Sequence, residues 1–577
     1  MIPYFNKISS SLINSPIMET KAKLNSSLLI FGFFLILLST FILFFPSLGE
    51  RAIWGSEGRW ATISKGMVES GDYFTPRING KVYYDKPLFS YWLVVASYFV
   101  TGKWDELTLR IPSAVMAIGS SLLLFFFLYT IFSWEAAVFG ALILSTSWGI
   151  VFWGHTSQVE THTLFSILLS MVLFYLAWSR NNGWLMSLFW IVSCVFCQMK
   201  GLISLALPIA VSGLFLTVEY GLEEKQKNPT KNFWPFFKGF LRGCWFFLRP
   251  KSLLGFSLGV ALYLLPFMFS EAGRLGLWMV FKENLVRYFK AFDHRGHWYT
   301  YLINIPFLFL PWTLFIPFLP YKEIRENQKI RFFWIWFLGT WIFFQCSSSK
   351  RSYYILPILA PLSALLSWQL AGYWKKCSHQ ISHIYYRGIL VLFSIACFIV
   401  FLGGFLFPQQ ISYQKLWMIL FFLFGLQFFQ TAIQKPTFRV FFILFLIFNF
   451  LFYTFLWGVI IPWGDQFRPL RVFYRDPFVQ QKIVGNGKVA LYRVSRSAAH
   501  YFYLSPPHPI PHFWKEKDAL SFLLQNDHYL ILPFEQWKIL KKSYPKLIQK
   551  WMHYQPPRKA PPFQDRPKEH LLVIWKK

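Results

Sequence analysis

An α-helical polytopic membrane protein with a small α/β domain at its C-terminal end is the fold class this chain predicts, on three observations. Of its 577 residues 55% are hydrophobic and 21% aromatic, only 14% are charged, and mean hydropathy is +0.40. Apolar runs such as Ser27 to Pro46, Gly255 to Ser270 and Val440 to Ile461 approach or reach the roughly 20 residues a helix needs to cross about 30 Å of hydrocarbon. From about Trp463 onward the long runs stop, and short β-like and amphipathic stretches replace them.

Read in order, the runs and breaks give about thirteen spans on the length criterion, centred near residues 37, 120, 145, 170, 190, 210, 262, 308, 338, 363, 397, 424 and 451. The first is preceded by a polar or weakly apolar stretch and is not followed by a small-x-small cleavage site, so it reads as a retained anchor rather than a signal peptide. A formal charge of +31 would point to nucleic acid in a soluble chain. Here many Lys and Arg fall in short loops beside apolar spans, which reads as topology and anionic headgroups, with no nucleic acid partner. Lys225, Lys227, Lys231, Lys238, Arg242, Arg249 and Lys251 cluster in one loop, and Lys322, Arg325, Lys329 and Arg331 in another, both on the side of the N-terminus. That side is expected to be the cytoplasm. The opposite face then carries 47–108, 154–161, 271–300, 346–354 and the C-terminal tail.

The expected division is a membrane domain over 1–462, with interfacial helices in the loop 47–108, and an extramembrane α/β domain over 463–577. In the tail, β-like runs Lys488–Val494, Tyr501–Leu504, Tyr529–Pro533 and His570–Trp575 alternate with amphipathic stretches near 469–483, 514–526 and 534–544. None of the six cysteines follows Ile461, so no disulfide staples the tail. Cys194 and Cys197 form a C-x-x-C inside an apolar run, where small helix-packing residues are the simpler reading. No solenoid period and no inverted repeat is apparent.

The loop 47–108 concentrates acids, bases and aromatics in a connection too long for a simple turn. Trp60, Ile63, Met67 and Val68 have helical spacing, so Glu57 and Arg59 would open a short amphipathic helix lying along the membrane surface. Glu57 could act there chemically or simply complement the helix dipole. Asp85 and Lys86, just before Pro87, could be a local salt bridge. Glu160 opens the fourth span, and ionisable groups at or in spans are costly and tend to be functional; the plain alternative is an interfacial residue reaching water. His155 and His162 read as structural, and His294-x-x-His297 as exposed loop histidines. Lys200, Arg287, Lys350 and Arg351 are individually ordinary interfacial cations. Their recurrence on the face opposite to the one topology needs positive suits an anionic headgroup such as a phosphodiester, gripped by Arg forks. Glu283 and Asp85 could offer oxygen ligands to a divalent ion.

The stretches Gly55-Ser-Glu-Gly-Arg-Trp60, Ser70-Gly-Asp-Tyr-Phe-Thr-Pro-Arg-Ile-Asn-Gly80 and Tyr84-Asp-Lys-Pro-Leu-Phe-Ser-Tyr-Trp92 together resemble one family. It is the polyprenyl-phosphate-dependent membrane glycosyltransferases of the GT-C fold, in the aminoarabinose transferase and protein mannosyltransferase group. The likeness continues through Met199-Lys-Gly-Leu, Asn284 to Arg287, Trp298-Tyr-x-Tyr301, Leu310-Pro-Trp312 and Ser347 to Pro357, and reaches the closing Leu571 to Lys577. The resemblance implies transfer of a sugar from a polyprenyl phosphate, undecaprenyl phosphate in a bacterium, to a periplasmic acceptor such as lipid A or protein. It also implies a bacterial inner-membrane location with the C-terminal domain in the periplasm. The family's first-loop motif reads Asp-Glu-x-Arg-Tyr, with the Asp as its acid; here Ser56 holds that position and Glu57 the next. The family's second acid matches Glu160. In aminoarabinose transferases a Glu before Lys-Pro and a later His can hold a metal ion; Asp85 and Glu283 match them, which favours a harder cation over zinc.

On this reading Arg59, Lys86, Lys200, Arg287 and Lys350 hold the donor phosphate, and Glu57 or Glu160 is the general base for the acceptor. A direct displacement inverts the anomeric carbon and needs no nucleotide cofactor. A transporter or lipid flippase is the rival class, for which midplane ionisable groups and internal symmetry would be expected.

Overall fold

The computed structural model describes residues 26–227, 233–290, 295–376, 383–404, 414–434, 437–495, 497–505, 508–545, 549–556 and 570–576. Lys231 and His294 lie outside them. All the expected span centres fall on helices. Among the described residues ten helices are long and apolar enough to cross a membrane, or twelve if each of two bent pairs is one span. The remaining centre, near 338, falls on the 19-residue helix Gln328–Cys346, which is rich in Trp and Phe and carries Lys329 and Arg331 in its first turn. The chain is a multi-pass membrane protein.

Burial separates lipid-facing from central helices. Ser26–Phe44 is apolar all round and leaves Phe31, Phe34 and Leu38 exposed, as expected of a helix bathed in lipid. Glu160–Ser179 lies in the middle of the bundle, with 78% of its most apolar window buried. The helix Glu106–Ile131 starts cleanly because Asp105 accepts from the Thr108 amide at 2.8 Å as its N-cap.

The two bent pairs explain each other. Trp134–Ser145 and Trp148–Gly154 meet at 59°, and Thr300–Leu308 and Trp312–Phe318 at 109°. A break inside a span frees backbone groups that lipid cannot satisfy, so protein must do so. Here the Trp148 amide donates to the Leu310 carbonyl at 2.8 Å, and Trp312 Nε1 donates to Thr146 Oγ1 at 2.9 Å. Each break supplies the partner for the other.

The loop after the first span forms the helix Glu57–Ser70, a hairpin of β1 (Arg77–Ile78) and β2 (Lys81–Val82), and the helix Phe89–Thr101. Glu57–Ser70 does not simply lie on the membrane surface as its periodicity suggests. Trp60, Ile63 and Met67 pack with Tyr84, Tyr91 and Val95, and its other side meets the C-terminal domain. Gly58 is required there: a Cβ at this position would sit 2.6 Å from the Ala499 amide nitrogen.

That domain holds a five-stranded sheet in the order β4-β3-β5-β7-β6, formed by β3 (Val489–Tyr492), β4 (His512–Phe513), β5 (Tyr529–Pro533), β6 (Trp551–Tyr554) and β7 (Leu571–Lys576). β3 is parallel to β4 and β5, and β7 is antiparallel to β5 and β6. Alternate residues feed two cores: Val489, Leu491, Ile531 and Val573 pack with Tyr474, Val479 and Ile483, while Ala490, Leu530, Leu532 and Ile574 pack with Leu523, Trp537 and Leu540. Burial on both faces is why these strands read as continuous apolar runs. Tyr501–Leu504 is not a strand but the end of the helix Ser497–Leu504. Its aromatics favour β in isolation, but one helical turn lets Tyr501 and Leu504 enter the first core while Phe502 packs with Ile53 and Val94.

Hydrogen bonds tie this domain and the end of the last span to the loop 47–108 and the helix that follows it. Asn79 pairs twice with the Ile510 backbone, at 2.7 and 2.8 Å, and the Tyr503 hydroxyl donates to Glu106 at 2.7 Å. The Ile53 amide donates to the same hydroxyl at 3.1 Å, and Asp465, at the end of the last span, accepts from the Ala52 amide at 2.7 Å.

Candidate functional site

A chamber of about 570 Å³ opens where the loop 47–108 meets the ends of the spans. Five cations line it, Arg59, Lys86, Lys200, Arg287 and Arg351, with three carboxylates, Asp85, Glu160 and Glu283. These groups come from five separate parts of the chain, so only the tertiary fold assembles them.

Each is placed by local structure. Lys86 and Asp85 precede the helix Phe89–Thr101, whose Leu88 amide is held by Gln198 Oε1 at 3.2 Å, while Gln198 donates to the Tyr263 carbonyl at 2.6 Å. The same anchor fixes Lys200 two residues on. Gly201 follows at φ +111°, and a Cβ there would collide with the Asn284 side chain at 2.4 Å, so a glycine is needed for the approach. Asn284 and Glu283 sit on a π-helical turn, Lys282–Val286, that runs into Arg287. The loop at 347–349 secures that turn: the Ser348 amide donates to the Tyr288 carbonyl at 2.9 Å and its hydroxyl to the Arg287 carbonyl at 3.1 Å.

Every carboxylate in the chamber meets a cation. Arg59 pairs with Asp85 and donates to the Tyr83 hydroxyl at 3.1 Å; Lys86 lies 3.2 Å from the same Asp85. Burial alone would raise the Asp85 carboxyl, but Lys86 and Arg59 outweigh it and hold the group below its ordinary value. Lys200 pairs with Glu160 and lies over the Tyr354 ring at 4.8 Å, and Glu283 pairs with Arg287. Cations outnumber acids by two.

Glu57, expected as a catalytic acid, does not line the chamber. Its two oxygens receive Arg110 Nε at 2.9 Å and Nη2 at 3.0 Å, Arg51 at 3.3 Å, and the amides of Trp54 at 2.7 Å and Ser157 at 2.8 Å. Arg110 spends its remaining donors on the carbonyls of Leu48, Arg51 and Ala52. Burial would raise the Glu57 carboxyl, yet the two guanidinium groups and the amide donors prevail and lower it to about 2. A carboxylate so saturated is a clamp for the loop, not a proton acceptor. Its neighbour Ser56 is the residue that faces the chamber.

Lys350, expected on the donor phosphate, also falls outside the lining, since its ammonium turns back to the Ser347 carbonyl of its own loop. Arg351 takes that place. Tyr83, Gln158, Asn284, Tyr353 and Tyr354 also line the wall and were assigned no site role from the sequence, since neutral residues in aromatic-rich stretches carry no distinctive signal there.

The metal reading fits poorly. Asp85 and Glu283 each already face cations, and among the described residues no group of three or more His, Cys, Asp or Glu converges as a ligand set. His297 stacks on Tyr299 at 5.1 Å. Cys194 and Cys197 are buried, and Gly259 packs close against Cys194, which is the helix-packing role expected of them.

A second chamber, of about 1140 Å³, adjoins the first and lies between the membrane domain and the C-terminal domain. Ser56, Arg59, Tyr83, Gln158, Arg351 and Tyr353 line both.

Residues 85–236 match the family of dolichyl-phosphate-mannose-protein mannosyltransferases. Over 353 residues, 58% of this chain and 59% of the relative, the sequence is 26% identical to the undecaprenyl phosphate-alpha-4-amino-4-deoxy-L-arabinose arabinosyl transferase of Pseudomonas aeruginosa. An uncharacterized protein of Aquifex aeolicus is 27% identical over 443 residues, 76% of this chain and 80% of that one. The fold matches the crystal structure of ArnT from Cupriavidus metallidurans bound to undecaprenyl phosphate with a TM-score of 0.67, at 18% identity, covering 94% of this chain and 97% of that one. The chain thus has the fold of that transferase structure and, over part of its length, is similar in sequence to protein mannosyltransferases and aminoarabinose transferases.

Proposed function

We propose that the protein transfers a sugar from a polyprenyl phosphate to an acceptor on the non-cytoplasmic face of a bacterial inner membrane, with inversion at the anomeric carbon. The observation that carries this is the excess of cations in the first chamber. A polyprenyl-phosphate sugar is a phosphodiester with one negative charge, and the polyprenyl phosphate that leaves carries nearly two. Two unbalanced positive charges therefore favour the leaving group over the bound donor, which is what lowers a barrier.

In this mechanism Arg59, Lys86, Lys200, Arg287 and Arg351 hold the phosphate oxygens. The anomeric carbon lies at the junction of the two chambers, beside Ser56, Tyr83 and Gln158, and the acceptor approaches from the second. Glu160 keeps Lys200 aimed at the phosphate and can take a proton from a hydroxyl acceptor. The donor-bearing face is non-cytoplasmic because the basic short loops lie at the opposite ends of the spans.

Full-length protein in nanodiscs, supplied with a polyprenyl-phosphate sugar and an envelope extract, should release polyprenyl phosphate and label an acceptor. The same protein with Lys200→Met should release it about 10² to 10³ times more slowly. Movement of intact polyprenyl-phosphate sugar across the bilayer without bond cleavage would assign the molecule to the transporter class instead.

A further inference from the structure

The helix Glu160–Ser179 starts at the first chamber and, 20 residues and about 30 Å on, delivers Arg180 to the opposite leaflet. There we infer a binding site for the headgroup of an anionic phospholipid of the phosphatidylglycerol kind, where the turn 180–184 meets Arg249 and Lys251. The site stands apart from sugar transfer, and the orientation proposed above makes that leaflet the cytoplasmic one.

First, the cations gathered there meet no acid. Arg249 donates to the Asn181 side chain at 2.7 Å, Lys251 lies over the Trp184 ring at 4.8 Å, and Arg180 is exposed next to Asn181 in the turn. Among the described residues none of the three pairs with a carboxylate. Topology alone does not require this. Lys238 and Arg242, on the preceding helix, are both matched, to Glu224 at 2.9 Å and to Glu223 at 2.6 Å.

Second, these cations stand on a seam between two parallel spans, Gly183–Val195 and Pro250–Met268. Lys251 packs along Gly183, and eight residues further a Cβ at Gly259 would sit 3.0 Å from the Ile191 Cα, so the two helices run side by side from a common end. The partial positive charge of both helix starts adds to that of the three side chains. Like charges so gathered repel, and an anion set among them removes the repulsion.

Third, the surroundings suit a lipid rather than a soluble anion. Trp184 and Trp245 are 60% and 66% exposed, as tryptophans at a membrane–water boundary are. The helix Trp234–Phe247, too short at 14 residues to span, buries Gly239, Gly243 and Phe246 and exposes Phe237, Phe240 and Leu241. An amphipathic helix of this kind lies in the headgroup plane and puts acyl chains beside the phosphate. The phosphodiester accepts from Arg249 and Lys251 and ties the two spans together at their common end.

The test is native mass spectrometry of the full chain in detergent, titrated with phosphatidylglycerol, phosphatidylcholine or inorganic phosphate. Phosphatidylglycerol should bind at least about tenfold more tightly than phosphatidylcholine and should stay bound in excess inorganic phosphate. Arg249→Gln together with Lys251→Gln should bring the two lipids within about threefold of each other, and Lys251→Gln alone, at an exposed side chain, should weaken phosphatidylglycerol about threefold. Lys322→Gln together with Arg325→Gln, which takes two charges from the other basic loop, should change its affinity by less than about twofold. A thermal profile checks that each variant is folded. Equal binding of the two lipids, displacement by inorganic phosphate, or an undiminished preference in the double variant would each overturn the site. So would an equal loss in the Lys322 and Arg325 control, which would reduce the preference to the general positive charge of that face.

Discussion

Glu57 and Glu160 are both acids buried beside cations at the same end of the membrane domain, and their surroundings differ in kind. Glu57 has two arginines and two backbone amides on its oxygens and no opening to a chamber. Glu160 pairs with Lys200 and stands in the wall of a cavity. The first arrangement spends the whole carboxylate on holding the loop 47–108 to the spans. The second leaves a cation whose other side faces open space. Burial and charge therefore do not mark the chemistry in this molecule; access does.

Substitutions can break or sharpen that contrast. The largest effect is expected at Lys200: Lys200→Met should cut sugar transfer about 10² to 10³-fold, because one charge on the leaving phosphate is lost, while detergent-solubilised protein still unfolds cooperatively. Glu57→Gln should do the reverse. It strips the charge that balances Arg51 and Arg110, so stability should fall by about 3 to 5 kcal/mol, read as an earlier thermal midpoint, while transfer per folded molecule stays within a few-fold of the parent.

The same clamp predicts a pH dependence. The Glu57 carboxyl is lowered in the fold to about 2 from its ordinary 4.5. Its stabilising contribution is thus complete above 4.5 and is lost as pH falls from there toward 2. Thermal midpoints of the parent should drop across that window, and those of Glu57→Gln should drop less; parallel curves would show that the clamp contributes nothing. The smallest effect is expected at Lys350. Lys350→Gln should leave transfer within about threefold of the parent, since its ammonium serves its own loop, whereas Arg351→Gln should lower it about tenfold or more.

Much of this was legible beforehand, for physical reasons that also set the limit. Spans are visible because lipid demands long apolar helices: ten of the thirteen expected centres landed on one, two on bent pairs and one on the Trp- and Phe-rich helix Gln328–Cys346. The breaks at Thr146 and Leu310-Pro311 have local signals, but that each caps the other depends on a contact across 166 residues. Asp85, Lys86, Glu160, Lys200, Glu283 and Arg287 were expected at one site and do share one chamber. Glu57 misled because its role is decided by Arg110, 53 residues away. Lys350 misled because neighbouring cations in a loop differ only in which way they face. The second chamber shares Ser56, Arg59 and Arg351 with the first, but its far wall could not be read from the sequence, since it exists only where two folded parts meet.

The central claim is that the first chamber holds a polyprenyl phosphate. A polyprenyl phosphate carrying a photoreactive diazirine next to its headgroup, irradiated with the protein in nanodiscs and mapped by peptide mass spectrometry, tests it directly. Adducts should concentrate on the peptides containing Asp85-Lys86, Lys200 and Glu283 to Phe289, and disappear under excess unlabelled lipid phosphate. Adducts spread over the lipid-facing spans, unaffected by that competitor, would contradict the account.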